Sequence, residues 1–170
     1  HRGVLPKSLN DANDGFPSRL YRNDGEGLFT DITGQANLGT HRKRRTRSAA
    51  LVDIDNDSDK DLLVTSDYAG VELYTNDGNG VFTEATDAIF SDWHLLGQAA
   101  AIGRFDSDDR LDFFIGGRWS TAMQRMEALQ LERADFPDFR PLAAILTSGN
   151  QLLLSQPERG YDVGPFNADA

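Results

Sequence analysis

The sequence predicts an all-β fold made of repeated four-stranded units, and an internal repeat is the first reason. The segment LYRNDGEGLFTDIT, residues 20–33, returns as LYTNDGNGVFTEAT at residues 73–86, an offset of 53 residues (76 − 23, from the shared asparagine). A second motif, ALVDIDNDSDKDLLV at 50–64, returns as AIGRFDSDDRLDFFI at 101–115, an offset of 51 (112 − 61). Two independent motifs therefore agree on a period near fifty residues.

The strand content of each period is the second reason. In the central period, short apolar or alternating runs predict strands at 48–52, 62–66, 71–74 and 81–84. The NDGNG segment before the last of them suits a tight hairpin, because asparagine and glycine tolerate the positive φ that such turns need. The glycines that we assign to turns are Gly25, Gly27, Gly78 and Gly80. Four strands in about fifty residues is the size of one β-propeller blade.

The repeat divides the chain into about three blades. The first blade, at about 1–40, is partial, because no acidic loop precedes its hairpin. The second blade spans about 46–90 and the third about 97–165. The third blade carries an insertion at 118–149, whose apolar stripe and capping residues predict a short helix over 121–133. A propeller ring needs about four to eight blades, so we expect this chain to be part of a longer one.

The composition disfavours several classes of function. The 170 residues contain 17 Lys and Arg against 27 Asp and Glu, a formal net charge of -10, so nucleic acid and anionic membranes are not expected as partners. No apolar run is long enough to insert into a membrane, and no N-terminal signal is visible. The chain has no cysteine, which excludes disulfides, thiolate metal sites and cysteine nucleophiles.

An acidic loop between two predicted strands is the strongest candidate for a functional site. The stretch LVDIDNDSDKDLLV places acids at alternate positions, which are Asp53, Asp55, Asp57, Asp59 and Asp61. Carboxylates at positions 1, 3 and 5 of a tight turn converge on one point, and a later acid completes the oxygen shell of a hard divalent cation. An EF-hand is excluded, because position 12 of this loop is a strand valine. Ca²⁺ fits a flexible all-protein cage better than Mg²⁺ does, so we predict a Ca²⁺ site here.

The second copy of this loop has fewer acids. It offers Asp106, Asp108 and Asp112 as metal ligands, and Arg104 replaces the first aspartate. Two interpretations stay open: a weaker Ca²⁺ site, or a loop that the Arg104 guanidinium neutralises through charge-assisted hydrogen bonds. In either case the first loop is predicted to be the tighter site.

These motifs resemble those of the FG-GAP/VCBS repeat family, in which an acidic D-x-D-x-D-G-x-x-D loop is followed by LYxNxGxGxFT. The similarity is strong at 53–62, 20–30 and 73–83, although Ser58 and Asp109 stand where the family usually has glycine. The tail that begins GGRWSTAMQRMEALQLERADFP is similar to the subgroup related to cartilage acidic protein and to bacterial UnbV/ASPIC-containing proteins.

The resemblance implies a β-propeller, usually of seven blades, that is secreted or displayed at the cell surface with Ca²⁺ in its inter-strand loops. We therefore expect a calcium-binding extracellular module for interaction or adhesion. Its partners would be protein or carbohydrate at the cell surface, and the remaining blades of a longer chain or a subunit assembly.

The sequence contains no recognisable catalytic motif, so an enzyme is not expected. Two alternatives stay open: a propeller-fold polysaccharide lyase or hydrolase, and a structural subunit of a surface assembly. The basic run HRKRRTR at 41–47 also has two interpretations, a site for an anionic glycan or partner and a solvated loop that faces the acidic loops.

Overall fold

The described part of the chain contains ten strands and one short helix. The computed structural model describes residues 12–90, 97–117, 125, 128–129, 149–157 and 160–164. The strands are β1 (Tyr21–Gly25), β2 (Leu28–Asp31), β3 (Arg45–Val52), β4 (Asp61–Asp67), β5 (Gly70–Asn76), β6 (Phe82–Glu84), β7 (Gly97–Gly103), β8 (Asp112–Gly117), β9 (Gln151–Gln156) and β10 (Gly160–Gly164), and the helix is α1 (Thr86–Ile89). Within these residues, no helix has the length and hydrophobicity that a membrane crossing requires.

The described strands form three antiparallel sheets. One sheet contains β3, β4, β5 and β6 side by side, a second contains β7, β8, β9 and β10 in the same arrangement, and β1 pairs with β2. This confirms the all-β prediction and its four-stranded units. Each of the four strands predicted in the central period lies within the sheet of β3 to β6, where the last begins at Phe82 rather than Val81. The blade boundaries and the number of blades stay predictions.

The hairpin turns contain the glycines that the sequence assigned to them. Gly25, Gly27, Gly78 and Gly80 all have positive φ, between 78° and 88°. Gly78 is also restricted by space, because a Cβ atom there would lie 3.1 Å from a carboxylate oxygen of Asp59 in the acidic loop. The turn prediction is therefore confirmed for both hairpins.

After each hairpin, a threonine side chain accepts a hydrogen bond from the backbone at or next to the hairpin's first strand. The Leu20 N–H donates to Thr33 Oγ1 at 2.9 Å, and the Leu73 N–H donates to Thr86 Oγ1 at 3.0 Å. Both residues of each pair occupy equivalent positions in the repeat: the leucines begin LYRND and LYTND, and the threonines end FTDIT and FTEAT. The internal repeat thus extends from the sequence to individual hydrogen bonds.

The main core lies between the two four-stranded sheets. Leu63 and Leu73 of the first sheet, 1% and 0% exposed, cluster with Phe113 and Ile115 of the second, both 0% exposed. Tyr161 closes this cluster, with its ring centroid 4.8 Å from that of Phe113.

A smaller core lies on the other face of the sheet formed by β3 to β6. Tyr74 and Phe82 pack there with Ala36, and Leu20 and Leu38 cover them in part. The β1–β2 side of the chain therefore packs on one face of this sheet and the second four-stranded sheet packs on the other.

Most of the helix predicted over 121–133 lies outside the described residues. Arg125 and Leu129 are described, and the Leu129 N–H donates to the Arg125 carbonyl at 3.0 Å, which is the i to i−4 spacing of an α-helix. The sequence did not predict α1, a single turn that follows β6 and ends at Ile89.

Candidate metal centre in the acidic hairpin loops

The two acidic loops are equivalent connections in two different sheets. Val52 pairs with Asp61 across β3 and β4, so residues 53–60 form the loop of that hairpin. Gly103 pairs with Asp112 across β7 and β8, which places residues 104–111 in the same position. The sequence repeat therefore corresponds to a repeated structural site.

The last aspartate of the first loop is an anchor for the backbone. Asp61 is 0% exposed, and its two carboxylate oxygens accept the N–H groups of Ile54 and Asn76, each at 2.9 Å. Ile54 lies inside the loop and Asn76 ends β5, the next strand of the sheet. This one side chain therefore holds the loop against a third strand.

Asp112 has the same role in the second loop. Its oxygens accept the N–H groups of Phe105 at 2.7 Å and Ser155 at 2.9 Å, and Ser155 lies in β9. Both closing aspartates thus accept two backbone N–H groups, a role that the sequence interpretation did not foresee.

Three of the five predicted ligands of the first loop converge. One carboxylate oxygen each from Asp53, Asp55 and Asp61 lies within 4.8 Å of the other two. Asp53 Oδ1 is buried with no hydrogen-bond partner among the described residues, whereas Asp53 Oδ2 accepts the Ser58 N–H at 3.2 Å. Partial desolvation within the loop, with the charges of Asp61 and Asp57, raises the pKa of Asp55, although this residue is exposed. An orphaned buried oxygen within an all-oxygen donor set fits a hard cation such as Ca²⁺.

The other two predicted ligands lie outside this group. Asp57 Oδ1 accepts the Asp59 N–H at 3.0 Å, and the Asp57 N–H donates to Asp55 Oδ1 at 3.3 Å. Asp59 Oδ1 is a second buried oxygen without a hydrogen-bond partner in the described structure. The metal-ligand role of all five acids stays a prediction.

In the second loop three acids also converge, but an arginine side chain forms an ion pair with one of them. Oxygens of Asp106, Asp108 and Asp112 lie within 4.8 Å of one another. The Arg110 guanidinium pairs with Asp108 Oδ2 and donates through Nε to Ser155 Oγ at 2.8 Å. The Arg110 backbone N–H, and its guanidinium charge as well, lower the pKa of Asp108. This loop therefore already holds a cation, the side chain of Arg110.

Two arginines form ion pairs with acids of the second loop, and the sequence suggested only one of them, Arg104. Arg104 Nε donates to the Asp109 carbonyl at 2.7 Å and lies 3.7 Å from that residue's carboxylate, so its partner is an acid outside the three that converge. Arg110 occupies the repeat position of Asp59, an offset of 51 (110 − 59). Aligning the two copies at every position would have found this exchange of an acid for a base.

Both loops make a tight turn at a residue other than glycine, and this has a conformational cost. Ser58 and Asp109 have φ values of 79° and 67°. We expect Ser58→Gly to stabilise the chain by about 0.5–1 kcal/mol, because a left-handed non-glycine residue costs roughly 1–2 kcal/mol and glycine's extra unfolded-state entropy offsets part of it. Ser107→Gly is the control, since φ at Ser107 is not positive and glycine there should destabilise. Urea denaturation of both variants measures the difference, and stabilisation by Ser107→Gly as well would refute this explanation.

The basic run at 41–47 binds the protein's own acids. Arg44 is 4% exposed, and its Nη1 lies 2.9 Å from Glu72 Oε1. The Tyr74 hydroxyl donates to the same oxygen at 2.6 Å, and His41 Nδ1 lies 3.2 Å from it. Two further ion pairs are Arg45 with Asp14 and Arg47 with Asp67. Neither the solvated-loop nor the anion-site interpretation therefore describes Arg44.

The fold and the loops together define an all-β chain of repeated antiparallel sheets with an acidic hairpin loop in each complete sheet. Residues 53–115 match the family model described as an FG-GAP-like repeat. This match begins at the first acid of the first loop and includes the whole of the second. The match supports the FG-GAP/VCBS repeat family, but it does not identify a subgroup within that family. No curated protein sequence matches the chain significantly.

Proposed function

We propose that this chain is part of a calcium-stabilised β-propeller that acts outside the cell as an interaction or adhesion module for protein or carbohydrate. Two observations support the calcium proposal: oxygens of Asp53, Asp55 and Asp61 converge, and Asp53 has a buried oxygen without a hydrogen-bond partner among the described residues. The FG-GAP-like repeat at 53–115 supports a propeller-type interaction module, and repeats of this family are typically non-catalytic.

The finer parts of this proposal rest on the resemblance of the sequence. The tail after residue 116 supports the subgroup similar to cartilage acidic protein and UnbV/ASPIC-containing proteins. An extracellular or cell-surface location agrees with the calcium site, because millimolar calcium outside cells fills even weak sites. The partners that we propose are surface proteins or carbohydrates, together with the further blades that a closed ring requires.

Calcium is expected to raise the thermal stability of the chain. A ligand that binds only the native state stabilises it by RT ln(1 + [L]/Kd), about 2.7 kcal/mol at a hundredfold excess over Kd. Differential scanning calorimetry with calcium and with a chelator measures the shift. An unchanged melting temperature would refute the calcium site.

A matched pair of substitutions locates the binding. Asp55 and Asp106 occupy equivalent positions, so Asp55→Asn and Asp106→Asn remove the same oxygen charge from the two loops. Asp55→Asn should abolish most of the calcium-dependent stabilisation, and Asp106→Asn should abolish less, because Arg110 already offsets one negative charge of the second loop. Isothermal titration of both variants with CaCl₂ decides between the loops, and equal losses would contradict the predicted order.

A further inference from the structure

We propose that the end of the β3 to β6 sheet that lies opposite its acidic loop binds an acidic polysaccharide. We call this surface the basic end and define it by Phe16, Arg42 and Lys43. The proposal rests on the interaction function above, for which it names the class of ligand and the surface that recognises it.

The two ends of this sheet carry opposite charges. The basic run at 41–47 includes the start of β3, and the acidic loop at 53–60 follows the other end of that strand. A strand of 8 residues is about 25 Å long, at roughly 3.3 Å per residue. Charges in solution are screened over about 8 Å at physiological ionic strength. The acidic loop is therefore screened from an anion at the basic end, although the net charge of the chain is -10.

Two cations of the basic run are available to a ligand. The three later arginines of the run form ion pairs with acids of the chain. Arg42 and Lys43 are exposed, and neither has an ion pair among the described residues. Their backbone is fixed, because the Arg42 carbonyl accepts the Ser18 N–H at 2.5 Å and the Lys43 carbonyl accepts the Gly15 N–H at 2.6 Å. A ligand would therefore not have to order this segment before it binds.

An aromatic ring lies beside the two cations. Phe16 is 81% exposed, and it lies between Gly15 and Ser18, whose N–H groups bond to the basic run. An aromatic ring can pack on the apolar C–H face of a sugar, while a guanidinium or an ammonium pairs with the carboxylate or sulfate of that sugar. This combination fits a chain of acidic sugars. Two unpaired cations are few for nucleic acid, in which every nucleotide carries a phosphate charge.

The basic end would remain at the surface if further repeats were added to the chain. The second four-stranded sheet packs on a face of the sheet of β3 to β6, with the main core between them. The basic end lies instead beyond the ends of the strands, where the segments at 12–18 and 40–44 meet. Its exposure therefore does not depend on how many sheets the chain contains.

The insertion in the second sheet is attached at the equivalent end. Gly97, which begins β7, pairs with Gly117, which ends β8, and the insertion at 118–149 follows directly. In repeat proteins, insertions map to loops on one face, and this is often the binding face. The basic run and the insertion thus assign the same end of the repeat to binding.

Fluorescence anisotropy with two labelled acidic saccharides, oligogalacturonate and a heparin oligosaccharide, tests this proposal on the whole 170-residue chain. Both should bind saturably and more weakly as NaCl is raised, and a neutral maltooligosaccharide should not bind. The double variant Arg42→Ala with Lys43→Ala should weaken binding at least about tenfold, since each exposed charge pair contributes up to about fivefold. Phe16→Ala should weaken it about threefold.

The matched controls remove the same types of side chain from the acidic loops. Lys60→Ala removes an exposed lysine from the first loop, and Phe105→Ala removes a phenylalanine, 49% exposed, from the second. Both variants should bind the acidic saccharides as the parent chain does. The titrations are made in a chelator, below the melting temperature measured there, so that calcium cannot bridge the saccharide to the acidic loops.

Three results would overturn the inference. They are the absence of saturable saccharide binding, losses in the control variants equal to those at the basic end, and tighter binding of a single-stranded oligonucleotide than of either saccharide. The calcium melts report separately on the proposed function. Saccharide binding without calcium stabilisation would refute only the calcium site, and calcium stabilisation without saccharide binding would refute only this surface.

Discussion

Replacing Asp61 with alanine is expected to lower the free energy of unfolding by about 3 kcal/mol, in a chelator as well as in calcium. The side chain is 0% exposed and accepts two backbone N–H groups, from Ile54 and Asn76. Each such donor left without an acceptor costs about 1–3 kcal/mol. Urea denaturation followed by circular dichroism, with and without calcium, measures both values.

The control for this prediction is a neighbouring acid with a different role. Asp55 is exposed, and Asp55→Ala in a chelator should change stability by less than about 0.5 kcal/mol. A loss that appears for Asp61→Ala only when calcium is present would show that Asp61 is a metal ligand and not a backbone anchor.

Replacing Arg44 with alanine is expected to cost about 3 kcal/mol, because removing one partner of a buried ion pair leaves the other charge buried. The Arg44 and Glu72 side chains are 4% and 3% exposed, and they lie 2.9 Å apart. Burial, followed by the charge of Glu72, raises the pKa of Tyr74, so its hydroxyl keeps the proton that it donates to Glu72. Tyr74 and His41 would remain beside Glu72 and reduce the loss of stability.

Two further variants separate the ion pair from a general effect of the basic run. Arg42 is exposed, and Arg42→Ala should change stability by less than about 0.5 kcal/mol. The double variant Arg44→Met with Glu72→Gln should recover most of the loss, since it removes the buried charge while glutamine keeps an acceptor for the Tyr74 hydroxyl. A double variant no more stable than Arg44→Ala would indicate that lost packing, and not an uncompensated charge, causes the effect.

The strands, the turns and the acidic loops could be predicted because their signals are local. Alternation around Leu63 and Leu73 identifies strands, and the glycines of NDGNG identify a turn, with no knowledge of the neighbouring sheet. The repeat then supplies the topology, since one period with four strands specifies the next.

The ion pairs could not be predicted, because each depends on how distant segments meet. Arg44 reaches Glu72 only after β3 and β5 take their places around β4, and Arg110 reaches Ser155 only after β9 joins β8. A charge in a sequence does not indicate which partner the packing will bring to it. The anchoring role of Asp61 was missed for the same reason.

Asp61 and Asp112 anchor the hairpins through the backbone, and this anchoring does not depend on which charges the rest of each loop carries. Each of them accepts two backbone N–H groups, so both hairpins have the same anchor although other positions of their loops differ. The second loop illustrates this, with arginines at 104 and 110 where the first loop has Asp53 and Asp59. The charge of such a loop can therefore differ between two copies of the repeat while the sheet that carries it keeps the same arrangement.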